Sequence, residues 1–396
     1  MVDTKNNMEG KIMYQKIISV TLFIMLISVL LVGCGTASES HVETPVPPTL
    51  TEPEPTATNP ATHAPEKTAD AIKACLVVQD SDVDIDGFNK YSYDGMQNAA
   101  KDYDIESTYF ISDSSDDTDA EAKIQDCLDF GANIIITVSS GGALVDFTAK
   151  FAEDYPDVYF IGVDHFVENG PKNYVGIQAH DDQGGFLAGY LAGLVTESNV
   201  VAGIYGPPYP ALVKFRNGYE QGAKLAAKEL GKEIETLGIY LDSFSDPETG
   251  AATALDYIEQ GADVVFGAAG LTGTGAIVAA AEKGVYVIGV DQDEYYTSFE
   301  GGNATGAEYI ISSAVKHVNV GVYDTISAIV EEDFDTFPGG SNYYLSVENG
   351  GLSFAGKHDA DISDELYDKV AETEARLTIG DISTGVDSET GEVTNP

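Results

Sequence analysis

The amino-acid sequence predicts an α/β protein with two doubly wound, Rossmann-like lobes that a hinge connects and a cleft separates. Three observations support this prediction: continuous apolar runs alternate with helix-like amphipathic segments, this alternation occurs twice along the chain, and small or acidic residues follow the apolar runs. Continuous apolar runs are typical of parallel strands that helices cover on both faces. Ligands bind beyond the carboxyl ends of such strands, so two facing lobes predict a ligand site in the cleft between them.

The two sets of alternating segments are similar in size. The first has strand-like runs at 72–78, 107–111, 133–138 and 158–163, separated by helix-like segments at 89–101, 120–130 and 143–154. The second has strand-like runs at 200–204, 235–240, 263–266 and 285–290, with helix-like segments at 211–230, at 251–260 and after Gly273. Two successive βαβαβ sets predict two lobes.

The end of the chain departs from this repeat. Two short strand-like runs, 343–347 and 352–354, flank Asn349-Gly350-Gly351, and this pattern predicts a hairpin. A last helix is expected at about 364–377.

The chain divides into five predicted segments. They are a signal peptide (1–34), a disordered tether (35–70), an N-terminal lobe (71–180, completed around 305–335), a C-terminal lobe (181–304, completed by about 336–380) and a polar tail (381–396). The tether is rich in Thr, Pro, Glu, Ala and Ser, a composition that cannot bury enough apolar surface to offset its ordering entropy.

The first segment has the parts of a secretory signal. Lys11 and Lys16 precede an apolar run at 17–32, and Leu-Val-Gly-Cys34 resembles the bacterial lipobox, in which the cysteine is acylated. We therefore expect a lipid anchor at Cys34 that holds the protein at the extracytoplasmic face of the cell membrane. A plain transmembrane anchor is the alternative, and Met13 is an alternative start to Met1.

The charge balance excludes some partners. Asp and Glu number 65 against 20 Lys and Arg, and Arg216 and Arg376 are the only arginines. A nucleic-acid binder needs clustered basic side chains, and anionic lipid headgroups repel a surface of this sign. Cys75 lies in an apolar strand-like run and Cys127 on an apolar helix-like face. Both are interpreted as buried free thiols, and their number neither requires nor excludes a disulfide.

The acidic loop after the first strand, with Asp80, Asp82, Asp84 and Asp86, allows three interpretations. As a calcium loop it lacks the glutamate needed at position twelve, where Tyr93 stands. A metal-dependent hydrolase or phosphotransferase would need the first three carboxylates to converge on one cation. The third interpretation is a solvated acidic loop.

A glycine-rich turn follows a later strand. Gly270-Leu-Thr-Gly-Thr-Gly275 lacks the Lys-Ser/Thr of a P-loop, so we interpret it as a turn that lets the backbone approach a ligand.

Seven stretches, taken in order, resemble the basic membrane protein family, the nucleoside-binding lipoproteins of ABC transporters. They are 84–95, 185–193, 215–222, 261–266 with 270–275, 288–293, 314–318 and 339–351. The resemblance implies a type I periplasmic-binding-protein fold that captures a nucleoside, with purines preferred, and delivers it to a permease. It further implies a monomer without catalytic residues, metal or cofactor.

The resemblance also implies site residues. Asn89 with Asp84 would hold the base, Phe266 would stack on it, Asp291 would bind the ribose hydroxyls, and Lys316 would reach into the site. Further candidates are Tyr93 as a second stacking face, Asp164 as a polar anchor, Ser139 after the third strand, and Gly270 in the glycine-rich turn.

This chain departs from the family pattern near the base. Asp86-Gly87 stands where Lys-Ser is usual, Lys90 follows the Asn, and Ser139-Ser140-Gly141 replaces a Gly-aromatic pair. Rival hypotheses therefore remain: the same fold binding riboflavin or another small metabolite, a hydrolase that uses Asp80, Asp82 and Asp84, or a surface lipoprotein for adhesion or signalling.

Overall fold

The computed structural model describes residues 72–334 and 337–394, which form two α/β lobes around two six-stranded sheets. The predicted signal peptide, Cys34 and the whole predicted tether lie outside the described residues. No helix in the described part of the chain combines the length and the apolarity that crossing a bilayer requires.

The first lobe has an all-parallel sheet of order β11-β5-β4-β3-β1-β2. Its strands are β1 (Lys73–Gln79), β2 (Glu106–Ser112), β3 (Ile134–Val138), β4 (Tyr159–Val163), β5 (Tyr174–Ala179) and β11 (Asn342–Leu345). Its helices are α1 (Gly87–Tyr103), α2 (Asp117–Phe130), α3 (Ala143–Asp154) and α8 (Val318–Val330), which packs against α1.

The second lobe has a sheet of order β12-β10-β9-β8-β6-β7, in which only β12 is antiparallel to its neighbour. Its strands are β6 (Val200–Tyr205), β7 (Glu235–Tyr240), β8 (Val264–Ala268), β9 (Tyr286–Asp291), β10 (Ile310–Lys316) and β12 (Leu352–Phe354). Its helices are α4 (Asp181–Val195), α5 (Pro210–Leu230), α6 (Pro247–Glu259), α7 (Gly270–Ala281) and α9 (Asp364–Thr378).

Glycines let α4 and α5 pack backbone to backbone. A Cβ atom on Gly189 would lie 1.9 Å from the carbonyl oxygen of Tyr219, and one on Gly222 would lie 2.0 Å from that of Phe186. No side chain fits at such distances, so the glycines of the 185–193 and 215–222 stretches are explained by packing.

The chain passes between the lobes three times, and this corrects two predictions. The strand Ile310–Lys316 belongs to the second sheet, although 305–335 was expected in the first lobe, and Asn342–Leu345 belongs to the first sheet, although 336–380 was expected in the second. The predicted hairpin is wrong for the same reason: β11 pairs with β5 and β12 with β10. The Asn-Gly-Gly turn is the third connection between the lobes.

A disulfide joins Cys75 of β1 to Cys127 of α2, so the interpretation of both residues as free thiols is wrong. Both cysteines are fully buried where α2 packs on the first sheet. Disulfides are typical of proteins that fold in oxidising compartments outside the cytoplasm.

Removal of this disulfide is expected to lower the free energy of unfolding. The closed loop spans 52 residues, and the chain-entropy relation gives about 4 kcal/mol for a loop of that length. Denaturant titration of the protein and of the Cys75→Ala/Cys127→Ala double variant measures the difference. A reductant should lower the midpoint of the natural sequence and leave that of the variant unchanged. An unchanged midpoint for both would contradict the disulfide.

Candidate functional site

The carboxyl ends of the strands in both lobes meet around one cavity. The cavity holds about 720 Å³ of space, part of it open to solvent. The first lobe contributes the β1–α1 loop and the residues that follow β3 and β4, and the second contributes the start of α5 and the ends of β8, β9 and β10. Ligand sites occur preferentially at such interfaces, where the carboxyl ends of parallel strands face one another.

The two lobes touch each other across the cavity. Gly141 after β3 faces the ring of Tyr209, and a Cβ atom on this glycine would lie 2.4 Å from Tyr209 Cε1. Gly87 at the start of α1 faces the side chain of Gln292 in the same way, with a separation of 2.2 Å. The cleft is therefore closed, with side chains from the second lobe packed against backbone of the first.

Four charged side chains form a buried cluster at the hinge. Lys316 Nζ lies 2.6 Å from Asp164 Oδ1 and 2.9 Å from Asp181 Oδ1. Lys214 Nζ lies 3.2 Å from Asp181 Oδ2 and donates a hydrogen bond to the carbonyl of Ala179 at 2.7 Å. Each of the four side chains is at most 6% exposed. Burial alone would lower the pKa of Lys316, but the carboxylates of Asp164, Asp181 and Asp291 outweigh it and raise that pKa above its ordinary value.

Asp164 and Asp291 adopt similar backbone conformations at the ends of β4 and β9. Both have φ 64°, a left-handed conformation that is uncommon outside glycine and clusters at ligand sites. Asp164 is used within the protein, because it pairs with Lys316 and accepts a hydrogen bond from Ser140 Oγ at 3.0 Å. Asp291 differs: within residues 72–334 and 337–394 no group donates a hydrogen bond to its carboxyl.

Desolvation is the main cause that raises the pKa of Asp291 to about 8. The positive charge of Lys316 offsets only part of this effect, and the carboxylates of Asp164, Asp86 and Asp181 raise the pKa further by repulsion. A carboxyl group that faces the cavity without a donor is suited to hydrogen bonding with a ligand.

The aromatic side chains of the cavity are Phe88, Phe215 and Phe244. Phe266 is absent from the lining, so its predicted stacking role is wrong: it is fully buried in the second sheet and stacks on Tyr219 at 5.3 Å. Tyr93 also lies outside the cavity, against Tyr109 at 5.3 Å. Phe88 and Phe215 lie within the 84–95 and 215–222 stretches, so the sequence indicated the segments without distinguishing cavity aromatics from core aromatics.

Several other predicted residues do come together. Asn89, Ser139, Asp164, Gly270, Asp291 and Lys316 all line the cavity, whereas Asp84 lines an adjoining chamber. The Asn89 Nδ2 group donates hydrogen bonds to the carbonyls of Gln79 and Ser81, at 3.2 and 3.0 Å. These two hydrogen bonds use both hydrogens of the Asn89 amide, so only its Oδ1 can bind a ligand.

The acidic loop after β1 does not assemble a metal site. Asp80 accepts hydrogen bonds from the backbone and hydroxyl of Ser114, and Asp82 accepts one from Tyr109. No cluster of three His, Cys, Asp or Glu side chains suited to a metal ion occurs among the residues that the structure describes. The convergence that a metal-dependent hydrolase needs is missing at Asp80, Asp82 and Asp84.

Fold comparison defines the class of protein first. A solute-binding protein of an ABC transporter system from Aeropyrum pernix K1 has a TM-score of 0.65 at 22% identity and covers 78% of this chain and 92% of its own. Another, from Conexibacter woesei DSM 14684, has a TM-score of 0.59 at 21% identity, and the match covers 79% of this chain and 98% of the Conexibacter woesei chain. The fold is that of the two-lobed periplasmic solute-binding proteins, as the sequence predicts.

Sequence comparison then gives the family. Residues 72–388 match the Bmp family, described as "ABC transporter substrate-binding protein PnrA-like". The "ABC transporter nucleoside-binding protein BmpA" of Lactococcus lactis is 29% identical over 79% of this chain and 88% of its own. "Basic membrane protein B" of Borrelia garinii is 36% identical over 48% of this chain and 53% of its own length. The chain belongs to the Bmp family of substrate-binding proteins and is not an enzyme.

The pKa of Asp291 predicts how stability depends on pH without ligand. The folded-state pKa of about 8 exceeds the ordinary value of 3.8, so the folded state binds this proton more tightly than the unfolded state. The resulting stability is fully present below pH 4 and is lost as the pH rises towards 8, by at most about 1.4 kcal/mol per pH unit.

The measurement is the difference in unfolding free energy between the natural protein and Asp291→Asn, from pH 5 to pH 8.5. The free energy of unfolding of the natural protein should fall relative to that of Asp291→Asn as the pH rises, because Asp291 ionises and Asn cannot. A difference that does not vary with pH would contradict the raised pKa.

Proposed function

We propose that this substrate-binding protein captures a nucleoside, with purines preferred, outside the cell and delivers it to an ABC transporter permease. In this proposal the protein is a monomer that a lipid at Cys34 anchors to the extracytoplasmic face of the membrane. Capture requires no chemical step, because closure of two lobes buries the ligand and polar groups select it.

The observation that carries the proposal is the Asp291 carboxyl, which faces a cavity with aromatic walls and lacks a donor among the described residues. Two vicinal hydroxyl groups, which a ribose supplies, can donate hydrogen bonds to this carboxyl, and such bonds favour its ionised form and so offset the raised pKa. Phe88 and Phe215 provide apolar faces of the kind that bury a planar base. The printed name of the Lactococcus lactis relative, a nucleoside-binding protein, supports the same ligand class.

Calorimetric titration of protein that has been unfolded and refolded without ligand tests this function. We expect binding of inosine, guanosine or adenosine without added metal, and about tenfold or greater weakening when the ligand is a 2′,3′-dideoxynucleoside. Phe215→Ala should weaken binding by about ten- to a hundredfold, since burial of a Phe side chain contributes about 1.5–3 kcal/mol. Tyr93→Ala is the matched control, because Tyr93 lies outside the cavity, and its affinity should stay close to that of the natural protein.

If the protein binds riboflavin or another metabolite and no nucleoside, the proposed ligand class is wrong, while the fold assignment is unaffected. Equal losses for Phe215→Ala and Tyr93→Ala would contradict the assignment of the cavity.

The lipid anchor has its own test. In cells that express the full chain, the protein should fractionate with membranes and incorporate a labelled fatty acid. The Cys34→Ala variant has no thiol to acylate, so it should incorporate no label. Labelling of the variant at the level of the natural protein would contradict anchoring at Cys34.

A further inference from the structure

A second chamber adjoins the ligand cavity. It holds about 890 Å³ of space, part of it open to solvent, between the β1–α1 loop, the start of α7 and the segment that follows β9. The two chambers share five lining residues, namely Asp86, Phe88, Gly270, Val290 and Asp291. A ligand held in the first chamber can therefore extend past the carboxyl groups of Asp86 and Asp291 into the second.

Asp86 is the buried residue with an unused acceptor at this junction. Its side chain caps α1, because Oδ1 accepts hydrogen bonds from the backbone N–H groups of Phe88 and Asn89 at 2.9 and 3.1 Å. Within the described ranges no donor reaches Oδ2, which lies 3.3 Å from where a Cβ atom on Gly270 would be. The residue is only 8% exposed, and its Oδ2 is free to accept a hydrogen bond from a ligand.

The rest of the second chamber is acidic and apolar. Asp84 adds a carboxylate, Ile85 and Leu271 add apolar surface, and no Lys, Arg or His is among its lining residues. Glu294 is already occupied: its Oε2 accepts hydrogen bonds from Thr274 and Ser298 at 3.0 and 2.5 Å. A cationic group in this chamber would thus meet Asp84, Asp86 and Asp291 with no competing positive side chain.

Lys316, the lysine of the first chamber, does not neutralise the carboxylates of the second chamber. Lys316 lines only the first chamber, and Asp164 and Asp181 already bind its ammonium group.

We propose that the second chamber is a subsite for a protonated amine that the captured nucleoside carries. The inference rests on the nucleoside-binding function proposed above and names the substituent that the site selects. An ammonium group donates up to three hydrogen bonds, which the free carboxyl oxygens of Asp86 and Asp291 can accept, while Asp84 adds negative charge to the chamber. A phosphate in the same place would lie beside the carboxyl groups of Asp84 and Asp86.

The test compares adenosine with 5′-amino-5′-deoxyadenosine, 3′-amino-3′-deoxyadenosine and adenosine 5′-monophosphate by calorimetric titration of refolded protein. One of the two amino nucleosides should bind at least about tenfold more tightly than adenosine, since charge-assisted hydrogen bonds are the stronger ones. The monophosphate should bind more weakly than adenosine. In the Asp86→Asn variant, where Asn still caps α1, the ratio of amine to adenosine affinity should fall to within roughly threefold of unity.

Asp102→Asn is the control, because Asp102 lies at the far end of α1, outside both chambers. Its amine-to-adenosine ratio should equal that of the natural protein. The subsite is overturned if adenosine binds and both amino nucleosides bind no more tightly, or if Asp86→Asn keeps the full ratio; the nucleoside function survives either result. Failure of every nucleoside to bind would overturn the proposed function and the subsite together.

Discussion

The buried ion cluster at the hinge is the constraint on which the geometry of the site depends. Its members come from different parts of the chain: Asp164 follows β4, Asp181 begins α4, Lys214 lies in α5, and Lys316 ends β10. Asp181 and Lys316 lie at connections between the lobes. Buried charges are tolerated when each has a partner, and removal of one member leaves the others uncompensated at a cost of about 3–5 kcal/mol. The cluster therefore fixes the hinge and one wall of the cavity together.

The same cluster determines the electrostatics of the cavity. Lys316 is the one cationic side chain among the lining residues, and two carboxylates inside the protein already neutralise it. Asp291 consequently receives only partial compensation, and its pKa rises to about 8. A cavity with free acceptors and no free cation selects ligands that donate hydrogen bonds. Hydroxyl groups of a ribose meet this condition in the first chamber, and an amine meets it in the second.

The sequence predicted most of the fold because the signals involved are local. Continuous apolar runs and helical periodicity placed β1 to β4, β6 to β9 and the helices between them, whereas β5 and β10 were not predicted. The resemblance to the family, rather than these local patterns, placed Asp164 and Asp291 at the cleft. The partners of Ile310–Lys316, Asn342–Leu345 and Leu352–Phe354 could not be predicted, because a short apolar run looks the same in either sheet. The hairpin prediction failed for this reason, although its turn residues were identified.

The site was harder to predict because it depends on contacts between distant residues. Phe266 and Phe215 are both aromatic residues in matching stretches, and only tertiary packing shows that the first belongs to the core and the second to the cavity. The Cys75–Cys127 disulfide likewise required knowledge of how α2 packs on β1. Asp181 and Lys214 read as ordinary helix residues in the sequence, and their burial against Lys316 follows from the close packing of α4 on α5.

Native mass spectrometry tests the central claim most directly, when freshly purified protein is compared with the same protein after unfolding and refolding without ligand. Capture of one nucleoside-type guest by the closed cleft predicts a mass excess equal to one nucleoside per chain. Refolding should remove this excess, and added nucleoside should restore it. A retained mass that belongs to a sugar, a peptide or a flavin, or a refolded protein that gains no mass from any nucleoside, would contradict the claim.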